Sequence, residues 1–215
     1  MSASPIPTSS KDRGPKVPWF QVMLPALTRP TERAYRTLAS DPGASFFRNL
    51  TWVFVSSLLA TIAFSVAQIA SGSNMTQTIR LLGWDPGTEG ERASSVILLF
   101  ACLMPFLAVL ATLAITAYTS LVHLTARVFG GQGTFPPLLH IFAAISAPAT
   151  LAIAVIGLLP IVNLLSIPLG LYALFLQVLA VKTVHQLDWP RAAGATLTLV
   201  ILFFLIFRVS LVGIL

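Results

Sequence analysis

Residues 94–126 read SSVILLFACLMPFLAVLATLAITAYTSLVHLTA, from Ser94 to Ala126, without one Asp, Glu, Lys or Arg. A helix rises about 1.5 Å per residue, and about 20 apolar residues cross a hydrocarbon core about 30 Å thick. The run is longer than one crossing needs, so its last turns are expected to project beyond the membrane, with Pro105 placed to bend it near its start. The scarcity of charge extends outward from it. Between Ala93 and Leu215 the only charged residues are Arg127, Lys182, Asp188, Arg191 and Arg208. A water-soluble domain needs a charged outer face, and this stretch has nothing to make one from, so its solvent is lipid.

The whole chain agrees. Of 215 residues, 56% are apolar and 9% charged, where a soluble domain carries about 25% charge; the mean hydropathy is +0.86. One membrane domain is expected over 49–215, with no room for a second folded one. Its spans are expected at about 49–70, 94–126, 137–158, 160–185 and 192–214, giving an all-α bundle of five transmembrane helices. The joint Gly157-Leu158-Leu159-Pro160 is very short, and Pro160 can start a helix but not continue one. Two antiparallel spans with a tight turn fit 137–185 better than one broken helix. Four helices in all, or a re-entrant stretch at Ile79-Arg80-Leu81-Leu82, are the alternatives.

The tail before the first span divides in two. Residues 1–18 are Ser-, Pro- and Lys-rich and are expected to be disordered. In 19–48 a helical turn or two is expected after Pro30, from Thr31 to Leu38. Trp19, Phe20, Tyr35, Phe46 and Phe47, interspersed with Arg, suit an amphipathic segment on the headgroup region; a loose linker with scattered apolar residues is the other reading. The first apolar run begins near Leu50, behind this basic tail, too deep for a signal peptide's apolar region.

Charge placement orients the spans. The net charge is +6, and most of it lies in residues 1–48, where Lys11, Arg13, Lys16, Arg29, Arg33, Arg36 and Arg48 face only Asp12, Glu32 and Asp41. With the N-terminus inside, Arg127, Lys182 and Arg191 join them on the cytoplasmic side, while the outer 71–93 loop keeps Arg80 and Arg92. Five spans then leave the C-terminus outside. Such a basic excess points to lipid and orientation, not to nucleic acid.

Few residues remain for chemistry. No Asp or Glu lies inside a span, which argues against an ion-coupled carrier. Cys102 stands alone in an apolar run and reads as a small buried residue. His123, His140 and His185 fall at the ends of spans on the cytoplasmic side, with Asp188 three residues after His185 as a conceivable carboxylate for a shared site. No metal-binding spacing accompanies them, and capping of helix ends is the plainer reading. No metal or other cofactor is expected, and no nucleophile motif occurs. Asn74-Met75-Thr76 fits a glycosylation sequon, a triplet common by chance. Arg208, near the outer end of the last span, is expected to snorkel to phosphates. Small residues at helical spacing, Ser56, Ala60, Ala63 and Ala67 in the first run and Ala143, Ala144, Ser146, Ala147 and Ala149 in the third, either mark close helix packing or merely reflect composition.

The segment His123-Leu-Thr-Ala-Arg127-Val-Phe129-Gly130-Gly131-Gln132-Gly133-Thr134-Phe135 ends a helix, turns on glycines and places an aromatic before the next span. Ser146-Ala147-Pro148, Leu159-Pro160 and a helix ending in His185 follow. This order, with Pro25 ahead of the first span, resembles the Yip family of five-span membrane proteins over about residues 25–214. The resemblance implies a five-helix bundle with a cytoplasmic N-terminus and, in eukaryotic members, a role in vesicle formation with Rab-type GTPases as partners. The chain departs from that pattern in lacking a DLYGP-type element and in its short tail, and looks more like the bacterial branch in the plasma membrane, where a Rab partner does not apply.

A non-enzymatic protein that organises membrane or partner proteins is therefore expected, touching membrane lipids and another membrane protein or itself; a transporter or permease component is the alternative. The candidate interaction residues are His123, Arg127, Gly130, Gly131, Gly133, Phe135, His185 and Asp188, all on the cytoplasmic face.

Overall fold

In the computed structural model, residues 18–70, 89–157 and 165–212 are described, and over them the chain is helical with no strand. The helices are α1 (Trp19–Thr28), α2 (Glu32–Ala39), α3 (Phe46–Ala70), α4 (Glu89–Val128), α5 (Phe135–Gly157), α6 (Ser166–His185) and α7 (Trp189–Val212). Four segments are long and apolar enough to cross a membrane: Phe46–Val66, Cys102–Val128, Phe135–Gly157 and Ser166–His185. The reason is elementary: lipid offers no partner to a backbone N–H or C=O, so an apolar run must satisfy its own, and an α-helix does that within one segment. The fifth apolar run is helical to Val212. The disordered-tail expectation, the sequon at Asn74, the re-entrant alternative at 79–82 and the turn at Pro160 lie outside the described residues.

α5 is the centre. Its residues Leu138–Ile145 are buried without interruption, and α1, α2, α3, α4 and α6 all pack on it. The stretch 137–185 thus forms two membrane-length helices, α5 and α6, side by side and antiparallel. α3 makes its largest interface with α5, and the small residues meet there: Ser56 and Ala60 on α3, and Ala143, Ala144, Ala147 and Ala149 on α5 are buried. Where lipid tails are as apolar as the helices, close approach of backbones is what holds them together. Polar side chains add cross-links, Tyr118 Oη donating to Gln177 Oε1 at 3.0 Å and Thr125 Oγ1 to the Ala195 carbonyl at 2.8 Å. Leu113, Leu121, Leu124, Phe64 and Leu171 point outward, as lipid-facing residues do. Cys102 is also exposed, contrary to the buried position expected of it, because this part of α4 presents most of its circumference outward.

The segment before α3 is folded against the bundle. α1 runs through Pro25, and Val22, Met23 and Ala26 are buried in the common core. Met23 shares a cleft with Leu59 of α3 and with Pro148 and Leu151 of α5, well past the first turns of those helices. Tyr35, expected on the headgroup surface, is fully buried instead.

The reason lies in the backbone at the end of α1. Pro30 has no N–H to give the Ala26 carbonyl, and the Thr31 N–H goes to the Arg29 carbonyl at 2.7 Å, leaving Leu27 unserved as well. Tyr35 Oη donates to Ala26 O at 2.8 Å and Tyr172 Oη to Leu27 O at 2.5 Å, while the Arg29 N–H bonds Pro25 O at 3.0 Å. An unpaired buried carbonyl costs several kcal/mol, and Tyr35 removes that cost at Ala26 O, while Tyr172 serves Leu27 O at the exposed edge where α1 ends. After Pro30, Thr31 caps α2 by accepting from the Ala34 N–H at 3.3 Å.

Candidate functional site

The end of the bundle where α4 and α6 stop and α3, α5 and α7 begin collects the polar side chains. Two helices finish there in the same way. In α4, Gly131 N–H bonds Ala126 O at 2.8 Å and Gly130 N–H bonds Arg127 O at 3.0 Å, with Gly130 at φ +90°. This is the paired bonding of a Schellman cap, and its left-handed residue favours glycine. In α6, Leu187 N–H reaches back to Lys182 O at 3.1 Å across Gln186, at φ 56°.

The two caps press together. Gln132 N–H donates to His185 O at 3.2 Å. A methyl group on Gly131 would lie 2.8 Å from Ala126 O and from His185 Cβ and Nδ1, and one on Gly133 would strike the Val184 carbonyl. Gly133 is small because the Val184 backbone passes beside it, and Gly131 because the Ala126 carbonyl and the His185 side chain do. His123 Nδ1 is 3.2 Å from His185 Nε2, and the Phe135 ring meets His123 edge-on at 5.8 Å. His185 Nδ1 is buried with no hydrogen-bond partner among the described residues. Arg127, Val128 and Phe129 stand exposed beside this knot.

Seven of the eight expected residues are therefore neighbours. Asp188 is the exception. It bridges Arg191 at 3.6 Å in an exposed i,i+3 pair, because the left-handed Gln186 turns the chain away from His185 and α7 starts a new direction. His140 also stands apart from the other two histidines. Its Nδ1 lies 2.7 Å from Asn49 Oδ1, and its Nε2 lies 3.3 Å from Asp41 Oδ2, off the line of a hydrogen bond. Arg48 Nη2 donates to the same Asp41 oxygen at 2.7 Å and its guanidinium lies 4.7 Å from the Trp52 ring. This buried group fastens the loop after α2 onto α3 and α5. Its only sequence signal was polar residues at the starts of two apolar runs.

A third group joins α2 to α6. Lys182 Nζ donates to Glu32 Oε1, Arg36 Nη2 lies 3.5 Å from Glu32 Oε2, and Lys182 sits 5.2 Å from the Trp189 ring centroid. The Lys182 hydrogen bond, and then its charge, hold the Glu32 carboxyl below its ordinary value of 4.5. Burial pushes the Tyr35 hydroxyl up, which keeps it a neutral donor. Among the described residues, no group of three or more His, Cys, Asp or Glu is placed to hold a metal ion.

Four membrane-length apolar helices, α5 buried at their centre, with polar groups gathered at one end, define an integral multi-pass membrane protein. The family model described as the Yip1 domain matches residues 26–210. That is most of the chain, which therefore belongs to the Yip1-domain family, a family of membrane proteins that is non-catalytic in general. No curated protein and no solved structure matches it.

Proposed function

We propose that this protein is a non-enzymatic membrane scaffold that organises partner proteins from the end of the bundle bearing the α1–α2 hairpin. The observation that carries this reading is the rigid mount under Arg127, Val128 and Phe129. Val128 is 80% exposed and sits on a turn fixed by the Gly131–Ala126, Gln132–His185 and His123–His185 contacts. An apolar pair beside a cation, held still, is a surface a partner can dock on with little ordering cost. In this reading the chain crosses a bacterial plasma membrane five times, α7 being the last span, with the N-terminus cytoplasmic and the C-terminus outside.

A photo-crosslinking residue at position 128, compared with one at the lipid-facing Leu113, tests the docking surface in native membranes. Defined protein adducts at 128 and lipid adducts at 113 are expected; lipid alone at both positions would sink the scaffold reading. Single cysteines placed in the tail and at the C-terminus of a Cys102→Ser chain, labelled from outside intact cells, test the topology: only the C-terminal one should react.

A further inference from the structure

Glu32, Arg36, Lys182, Thr183, Gln186 and Leu187 line a polar cleft of about 380 Å³ between α2 and the last turn of α6. We propose that this cleft holds the phosphodiester headgroup of an anionic phospholipid, with its acyl chains running down past Trp189 and Phe175. Four observations support it. Lys182 lies one turn from the end of a membrane span of 20 residues, the length of one hydrocarbon crossing, so the cleft is at headgroup depth. Its charges are unbalanced: Arg36 and Lys182 straddle the single carboxylate of Glu32, leaving one positive charge in excess.

Arg36 also keeps its donors available. Its side chain is 73% exposed, and its one described polar contact is the loose 3.5 Å pair with Glu32, so a phosphate can take the planar guanidinium in the bidentate way it favours. Below the cleft the chemistry changes to suit a chain. Trp189 and Phe175 stack at 6.0 Å with 14° between their planes. Both rings are nearly half exposed on the outer face, and Lys182 lies over the Trp189 ring. Cation above and aromatic rings beneath match the order of a lipid's headgroup and upper acyl chain. The cleft needs no protein partner, and Arg127, Val128 and Phe129 are not among its lining residues.

The test reconstitutes the full chain in mixed phosphatidylcholine–phosphatidylglycerol vesicles, extracts it in mild detergent and counts retained lipids by native mass spectrometry. The wild-type chain should keep phosphatidylglycerol in preference to phosphatidylcholine. Arg36→Gln, on an exposed face and harmless to folding, should lower that retention about tenfold, the worth of one charge-assisted hydrogen bond. Lys182→Gln should lower it too, whereas Arg33→Gln, exposed on the same helix but outside the cleft, should not. Equal retention of both lipids, or an equal loss with Arg33→Gln, would overturn the site. Displacement by soluble glycerol 3-phosphate as effective as by phosphatidylglycerol would overturn the lipid as its occupant.

Discussion

His123 Nδ1 and His185 Nε2 meet at 3.2 Å across 62 residues of sequence, tying the end of α4 to the end of α6. One ring nitrogen must donate and the other accept, so each ring fixes the tautomer of its partner. His123→Leu leaves a fully buried His185 with neither ring nitrogen bonded, a loss of about 1–3 kcal/mol. Replacing both rings by leucine removes the unmet demand together with the bond. The double variant should therefore melt closer to wild type than the sum of the single changes, measured by thermal unfolding in detergent. Strict additivity would mean that the two rings do not interact.

The glycines of the turn should rank by what surrounds them. Gly133→Ala meets the Val184 backbone, which cannot give way, and Gly131→Ala meets Ala126 O and His185 at 2.8 Å. Each should destabilise by about 1–3 kcal/mol or more through overpacking. Gly130→Ala has open space around it and suffers only from φ +90°, a cost of about 1–2 kcal/mol. Melting temperatures should fall furthest for position 133 and least for position 130, and a reversed order would show that backbone conformation, not close approach, selects these glycines.

The membrane-length helices were legible because within one segment only a helix satisfies its own backbone in lipid. The turn at 128–135 was legible for the same reason: Gly130, Gly131 and Gly133 interrupt two apolar runs. Partnerships were not. Glu32 meets Lys182 across 150 residues and Asn49 meets His140 across 91, pairings decided by how α2 and α3 lie on the bundle. Asp188 misled through its nearness to His185, since one left-handed residue at Gln186 reverses what sequence distance suggests. α1 hid its packing because Tyr35, which serves its Ala26 carbonyl, is a residue that in a tail reads as a headgroup anchor.

Those tyrosines make a specific demand. Tyr35→Phe and Tyr172→Phe each leave a carbonyl of α1, Ala26 O or Leu27 O, without its donor, while changing little of the packing. Tyr35→Phe should cost about 1–3 kcal/mol, the penalty of a buried carbonyl left unpaired, Tyr172→Phe less because its bond is exposed, and the cost should appear locally. Hydrogen exchange and protease cleavage should rise in residues 21–30 before the spans respond. Tyr35→Phe should be the more severe, since its ring is wholly buried where Tyr172 is partly exposed. Unchanged protection of α1 in both variants would mean that water, not tyrosine, serves those carbonyls.

The hold of α2 on α6 should weaken in acid. The Glu32 carboxyl is stabilised as a carboxylate by Lys182, so its folded value lies below the ordinary 4.5. The contribution is then complete above about 4.5 and is lost as pH falls through the lower, folded value, because the unfolded or undocked segment takes up the proton first. The effect is small, since Glu32 is open to solvent and water and salt screen the pair. It should be visible as a rise in hydrogen exchange across 32–39 as the pH falls below about 4.5, corrected for the intrinsic rate. Glu32→Gln should show the looser state at neutral pH and no further change across that window. If the variant keeps the acid transition, the Glu32–Lys182 pair is not what governs it.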